Sequence, residues 1–222
     1  MTNDFTIREF HAAEGTEDWR VLAEGACAFF RTSTFADSAR FVEAIAALPG
    51  ALEHPPDVDV RRDGVTVRLI TTTDDWYGPT RRDIERARRI SSAARGLGLA
   101  AEPARLQSYL VIPGAPDTAA VMPFWRAVLD YEPRADSPDE DLVDPRMRGP
   151  SFWFEPMDKP RPGGSGAIHF AVWVPPDLAE TRVAAALAAG GHLVRDQFAP
   201  SWWTLADAAG NEVDVATTVG RD

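Results

Sequence analysis

ALEHPPDVDVRRDGVTVRLITTTDDWYGPTRRD, residues 51–83, holds a polar corner, two strands and the start of a helix in one run. VTVRLITT (65–72) alternates apolar and polar residues, as a strand with one buried face does. A second strand is read at Val58–Arg61. Thr80 and Asp83, three residues apart, form a capping pair that opens a helix running to about Leu97. Its Ile84, Ala87, Ile90, Ala94 and Leu97 make one apolar stripe. Upstream, Ala26–Arg31 reads as a strand and Ala36–Leu48 as a helix with Phe41, Ile45 and Leu48 on one face. Strands covered by two helices on one face give an α+β fold.

The 222 residues suffice for one large or two small domains. GLGLAAEPAR (96–105) separates two halves, because Gly96 and Gly98 can end a helix and Pro103 resists continuing it. The expected division is 1–98, a linker at 99–105, and 106–222. Seven Trp and eleven Phe support packed cores, and a net charge of −11 argues against nucleic acid or an anionic membrane as partner. A single cysteine, Cys27, excludes an intrachain disulfide. Its apolar setting, GACAFF, predicts a buried and inert thiol. MTNDFTIREF lacks the cationic-then-apolar pattern of a signal peptide, and no apolar run approaches the roughly 20 residues needed to cross a bilayer. A cytoplasmic location is the expectation.

The second half contains an internal echo. LQSYLVIP (106–113), a strand, leads to AAVMPFWRAVL (119–129), a helix; AIHFAVWVP (167–175) leads to LAETRVAAALAAGG (178–191) in the same order. Strand candidates follow each copy: SFWFEPM (151–157) in the first, then HLVRDQF (192–198), SWWTLAD (201–207) and NEVDVAT (211–217) in the second. Two strand–helix–strands units suit paired βαβββ modules closing a shared cavity. Residues 136–150 read as a loop in which DLVD (141–144) is a candidate strand. RPGGSG (161–166) reads as a connector and Gly210-Asn211 as a hairpin turn.

Residues 18–97 resemble pterin-4a-carbinolamine dehydratases. Asp18-Trp19, AFFRTSTFADSARFV (28–42), HPPDVDVRRDGVTVRL (54–69) and GPTRRDIERARRI (78–90) carry the resemblance. It implies lyase activity on a tetrahydrobiopterin carbinolamine, an oligomer (here expected to be a homodimer) and a pterin cleft lined by histidines. Aligned with that family, the first histidine is His54, the second position holds Pro55, and the third falls on Thr72 or Thr73. Dehydration needs a proton delivered to a departing hydroxyl and another removed from a ring N–H, tasks suited to imidazoles. Proline transfers no protons and a threonine hydroxyl is a poor acid or base at neutral pH. His54 alone reads either as a residual catalytic and ligand contact or as a structural histidine. Asp74 and Asp75 read as a solvated turn. Trp76 either covers a flat heterocycle or packs against the helix.

The second half resembles the vicinal-oxygen-chelate superfamily of glyoxalase and bleomycin-resistance-like proteins. The residues are PFWRAVLDYEP (123–133), IHFAV (168–172), LAAGGHLV (187–194) and WWTLADAAGNEVDV (202–215). Two-domain actinobacterial proteins join these two families in this order. Members with a divalent metal draw ligands from the first and last strands of each module. On that pattern His169 and Asp214 are candidate metal ligands. Glu212 is on the same side of its strand, Gln107 or Ser108 stands in the first module, and Glu155 is on its closing strand. The competing reading is a metal-free cavity in which His169 hydrogen-bonds a ligand or a carboxylate. Trp153, Phe154, Trp173, Trp202 and Trp203 fall on cavity strands, where alternation turns about half inward.

No Gly-rich phosphate loop or nucleophile elbow is present, His11 and His192 stand without company, and RRDIERARR (81–89) reads as a solvated face. The expected function is binding of a small aromatic or heterocyclic molecule beside a degenerate dehydratase site. No cofactor is assigned beyond the candidate divalent metal. The alternative is an enzyme, either a weak dehydratase through His54 or a metal-dependent lyase or oxygenase through His169 and Asp214.

Overall fold

The computed structural model describes residues 5–157, 168–188, 190–206 and 212–220, without the side chains of residues 124, 127–129 and 168. The RPGGSG connector and the Gly210-Asn211 turn lie outside the described residues. Two compact units divide the chain: residues up to Thr72 with Tyr77–Leu106, and Thr73–Trp76 with the chain from Gln107 onward. Among the described residues no helix is long and apolar enough to cross a membrane.

The first unit runs α1 (Ile7–Ala12), β1 (Arg20–Leu22), β2 (Gly25–Arg31), α2 (Phe35–Ala46), β3 (Asp57–Arg61) and β4 (Gly64–Leu69). β5 (Thr71–Thr73) and β6 (Trp76–Gly78) follow, their Thr73 and Trp76 belonging to the second unit, and α3 (Arg81–Gly96) and β7 (Ala100–Ala101) complete the first. The sheet order is β1-β2-β4-β3, all antiparallel, with β7 sharing the β1 edge of β2. Pairing of Ala28 with Val67 and of Phe30 with Val65 puts these buried side chains on one face. There Phe30 meets Phe41 of α2 edge-on, ring centres 5.0 Å apart. The buried residues of α3 are Asp83, Ala87, Ile90, Ser91 and Ala94, one helical stripe. Asp83 accepts from the Thr80 N–H at 2.7 Å and from its hydroxyl at 2.9 Å, so the expected cap is formed. Capping pairs at Thr6/Glu9 and Thr34/Asp37 start α1 and α2 in the same way.

Three features depart from the sequence reading. The strand expected over 65–72 stops at Leu69, because its partner β2 begins at Gly25, whose positive φ turns that chain away into β1. Beyond the break, β5 pairs with β6 in a separate hairpin. Leu97 leaves the apolar stripe and is exposed, since α3 ends at Gly96 and Leu97 is its cap. The expected linker, 99–105, is partly built into the sheet, where Ala101 pairs with Phe30, and Leu106, expected to open the second half, packs with Leu22 and Phe29 on the face away from the helices. Two strand residues are too few to show any periodicity.

Cys27 lies on that outer face, half-buried, and the desolvated surroundings of its sulfur push the thiol up to about 12. Gly64 faces Phe29 so closely that a Cβ would sit 2.3 Å from the ring's Cζ and 2.5 Å from the Phe30 carbonyl oxygen. The backbone oxygen cannot swing aside, and Arg105 covers the ring at 4.5 Å. Gly64→Ala is therefore expected to cost about 1–3 kcal/mol, read from the urea midpoint of the purified protein. An unchanged midpoint would show that the strand relaxes freely.

The second unit contains two copies of one βαβββ order. The first is β8 (Ser108–Ala115), α4 (Thr118–Leu129), β9 (Glu132–Pro133), β10 (Asp141–Val143) and β11 (Ser151–Trp153), extended by β12 (Glu155–Pro156). The second is β13 (Ile168–Trp173), α5 (Ala179–Ala188), β14 (His192–Arg195), β15 (Trp202–Ala206) and β16 (Glu212–Ala216). In each copy the first strand pairs in parallel with a late strand, β8 with β11 and β13 with β16. The copies join where β8 and β13 run antiparallel, giving one sheet of order β14-β15-β16-β13-β8-β11-β10-β9. SFWFEPM breaks at Phe154, which is fully buried beside Phe152, Met122 and Tyr131. Val174, Leu205 and Val215 pack with Val183 of α5. Asp144, after β10, anchors its loop. Burial opposes its ionisation, but the Arg146 guanidinium and three backbone N–H groups hold its carboxyl well below the usual range.

Candidate functional site

In the first unit His54 stands in the loop after α2, exposed, its backbone N–H donating to the Gly50 carbonyl at 3.2 Å. Pro55 beside it is exposed, as are Thr72 and Thr73 on β5. The Thr73 hydroxyl donates to Asp75 at 2.8 Å, and Trp76 is half-buried on β6. The β5–β6 hairpin thus groups the threonines with Trp76. His54 instead lines a separate concavity of about 290 Å³, open solvent included. Its apolar floor comes from Ile45, Leu48, Leu69 and Ile90, and Arg86 and Arg89 of α3 join His54 in lining it. Neither Pro55, Thr72, Thr73 nor Trp76 lines this space. The unit's other histidine, His11, is committed to the backbone, accepting the Val21 N–H at 3.1 Å.

The two arginines escaped the sequence reading. RRDIERARR reads as a solvated face in sequence, but Arg86 and Arg89 are three apart and border the buried Ile90. A charged pair bordering an apolar stripe was the available signal.

In the second unit the register places His169, Ala171 and Trp173 on one face of β13, opposite Ile112, Leu110 and Ser108 of β8. Asp214 on β16 is level with Ala171, and Thr204 on β15 is level with Asp214. These three polar side chains converge. His169 Nε2 lies 3.4 Å from Asp214 Oδ2, and the Thr204 hydroxyl donates to Asp214 Oδ1 at 2.7 Å. His169 is 5% and Thr204 0% exposed, so Asp214 accepts from Thr204 and faces the His169 imidazole in a nearly dry cluster. Trp202 shares their face, since it pairs with Ala216, which is level with Trp173; Phe198 stacks on it at 4.2 Å. Trp153 is on this face too, two residues from Ser151, which is level with Leu110. Trp203 points the other way and packs with the α5 core.

The remaining candidates stand apart. Gln107 is exposed, hydrogen-bonded to the Tyr109 hydroxyl and to Arg182 of α5 at 3.3 Å, on the opposite face from Ser108. Ser108 is on the His169 face, with a buried hydroxyl that finds no hydrogen bond among the described residues, but it is four residues from the position facing His169. That is about 13 Å along the strand. Glu212 lies 3.7 Å from Arg195, and Glu155 is on β12 beside Gly114. A 3.4 Å separation would let His169 and Asp214 ligate one ion, but a protein-held site needs at least a third donor. Among the described residues no three His, Cys, Asp or Glu side chains form such a group. Among the described residues the donor set stops at His169 and Asp214 and does not fit a resident divalent metal.

Residues 3–93 match the family model of pterin 4 alpha carbinolamine dehydratase, and residues 110–216 match that of a glyoxalase-like domain. Comparison with curated proteins found no match. Among solved structures the chain is similar to an NAD-dependent benzaldehyde dehydrogenase from Legionella pneumophila. The two are 14% identical over 49% of this chain and 97% of that one, with a TM-score of 0.37. It is similar as well to a glyoxalase/bleomycin resistance protein/dioxygenase superfamily member from Vibrio splendidus 12B01. Here the identity is 16% over 50% of this chain and 99% of the other, with a TM-score of 0.34. The chain joins, in this order, a pterin-4a-carbinolamine dehydratase domain and a glyoxalase-like domain.

Proposed function

We propose that this chain is a small-molecule-binding protein that keeps the frame of a carbinolamine dehydratase without its proton-transfer groups. The carrying observation is the isolation of His54. It is exposed, its neighbour is Pro55, and the unit's other imidazole is already an acceptor for the Val21 N–H. The dehydration moves two protons, and losing a proton-transfer group commonly forfeits about 10²–10⁴ in rate. Thr72 and Thr73 offer hydroxyls, which do not titrate near neutral pH. In the second domain Trp153, Trp173 and Trp202 share a sheet face with His169, which favours a flat aromatic or heterocyclic ligand there.

A titration of tryptophan fluorescence with a panel of pterins and single-ring aromatic acids tests the binding role. Saturable quenching by at least one compound is expected. No response from any of them would overturn the proposal.

A further inference from the structure

We propose that the concavity between α2 and α3 binds a small carboxylate with a single-ring apolar body, its charged end held by Arg86 and Arg89. This rests on the reading of the first domain as a binding domain and names the class of its ligand. The floor is aliphatic, with Ile45, Leu48, Leu69 and Ile90, so the body of the ligand is apolar. The roughly 290 Å³ counts open solvent, so this is a half-open groove in which only a small body rests against the floor.

The arginines are incompletely satisfied. Arg86 reaches the Gly50 carbonyl at 3.3 Å and Arg89 the Pro49 carbonyl at 3.4 Å, both long for N–H···O bonds. Their acidic partners are shared. Asp83, 3.3 Å from Arg86, also accepts twice from Thr80, and Glu85, 2.9 Å from Arg89, lies 3.9 Å from Arg88 as well. α3 carries six arginines against two acids, in a chain whose net charge is −11. Each guanidinium has five N–H donors, most of them without a protein acceptor among the described residues. A carboxylate would form shorter, charge-assisted bonds in place of the long carbonyl contacts. His54 also lines the space, and its imidazole makes no hydrogen bond among the described residues. It can meet a second polar group on the same ligand.

The test uses the full chain with fluorobenzoate as probe and fluorobenzamide as its neutral counterpart, each followed by its fluorine NMR linewidth. Saturable broadening of the benzoate and little of the amide is expected. Arg89→Met should weaken benzoate binding about tenfold or more, and Arg89→Lys should recover part of the loss. Arg86→Met should act likewise; if it unfolds, because Asp83 is buried beneath it, Arg89→Met carries the comparison. Equal binding of the amide, no benzoate broadening, or indifference to Arg89→Met would overturn the proposal. Tryptophan quenching by pterins without any benzoate broadening would leave the binding role standing and remove the carboxylate. Silence in both assays would remove both.

Discussion

Replacing Trp19 by alanine lowers the stability of the first unit by about 3–5 kcal/mol, the range for emptying a buried aromatic site. Trp19 is 1% exposed and precedes β1, and its indole N–H donates to the Ser91 hydroxyl on α3 at 3.0 Å. Ser91 is itself fully buried. The side chain therefore does two things: it fills volume, and it ties the start of the sheet to a helix 72 residues later in sequence. Trp19→Phe separates these roles. It keeps most of the ring but leaves the Ser91 hydroxyl without that partner, for an expected loss of about 1–3 kcal/mol. Urea unfolding of the two variants, compared by midpoint, checks the order. If phenylalanine were as damaging as alanine, the hydrogen bond and not the packing would dominate.

Asp214→Ala is the second large effect, about 1–3 kcal/mol, because it strips the acceptor from a fully buried hydroxyl and removes the carboxylate that faces a buried imidazole. Thr204 loses a 2.7 Å hydrogen bond in a position with no access to water, and His169 loses its only close carboxylate among the described residues. Asp214→Asn keeps the shape and one carbonyl oxygen, so its loss should be smaller by at least half. Hydrogen exchange of the β13 and β16 amides locates the damage in the second domain. If the cluster were instead a metal centre, chelator treatment of the unaltered protein would lower its unfolding midpoint as much as Asp214→Ala does. No change on chelation is expected, since the two donors found among the described residues hold a divalent ion weakly.

The residues around Ala51–Asp83 show how far sequence carries the fold. Thr80 and Asp83 announce a helix start because a cap is a local event, settled within four residues. Phe41 and Ile45 announce a buried face because helical spacing survives any tertiary arrangement. The end of β4 could not be read this way. It is set by Gly25, some forty-five residues earlier, where the neighbouring strand turns off and leaves Ile70 unpaired. The pairing of Ala100–Ala101 with β2 is likewise a long-range bond with no local pattern. In the second domain the alternation of Trp202 and Trp203 between faces follows from strand geometry, as expected for adjacent strand residues. The meeting of His169, Thr204 and Asp214 depends on three strands coming into register. The family resemblance supplied the histidine and the carboxylate but not the threonine. Arg86 and Arg89 were legible only as charge. Their place beside an apolar concavity emerges once α2 and the loop at Pro49-Gly50 close around it.

On the proposed reading the first domain keeps a dehydratase frame and has lost its proton handling. Stopped-flow measurement of carbinolamine dehydration, with the carbinolamine generated in situ and the full chain in excess, tests it most directly. The expected rate is that of buffer alone, unchanged by His54→Ala. A saturable acceleration that disappears with His54→Ala would contradict it.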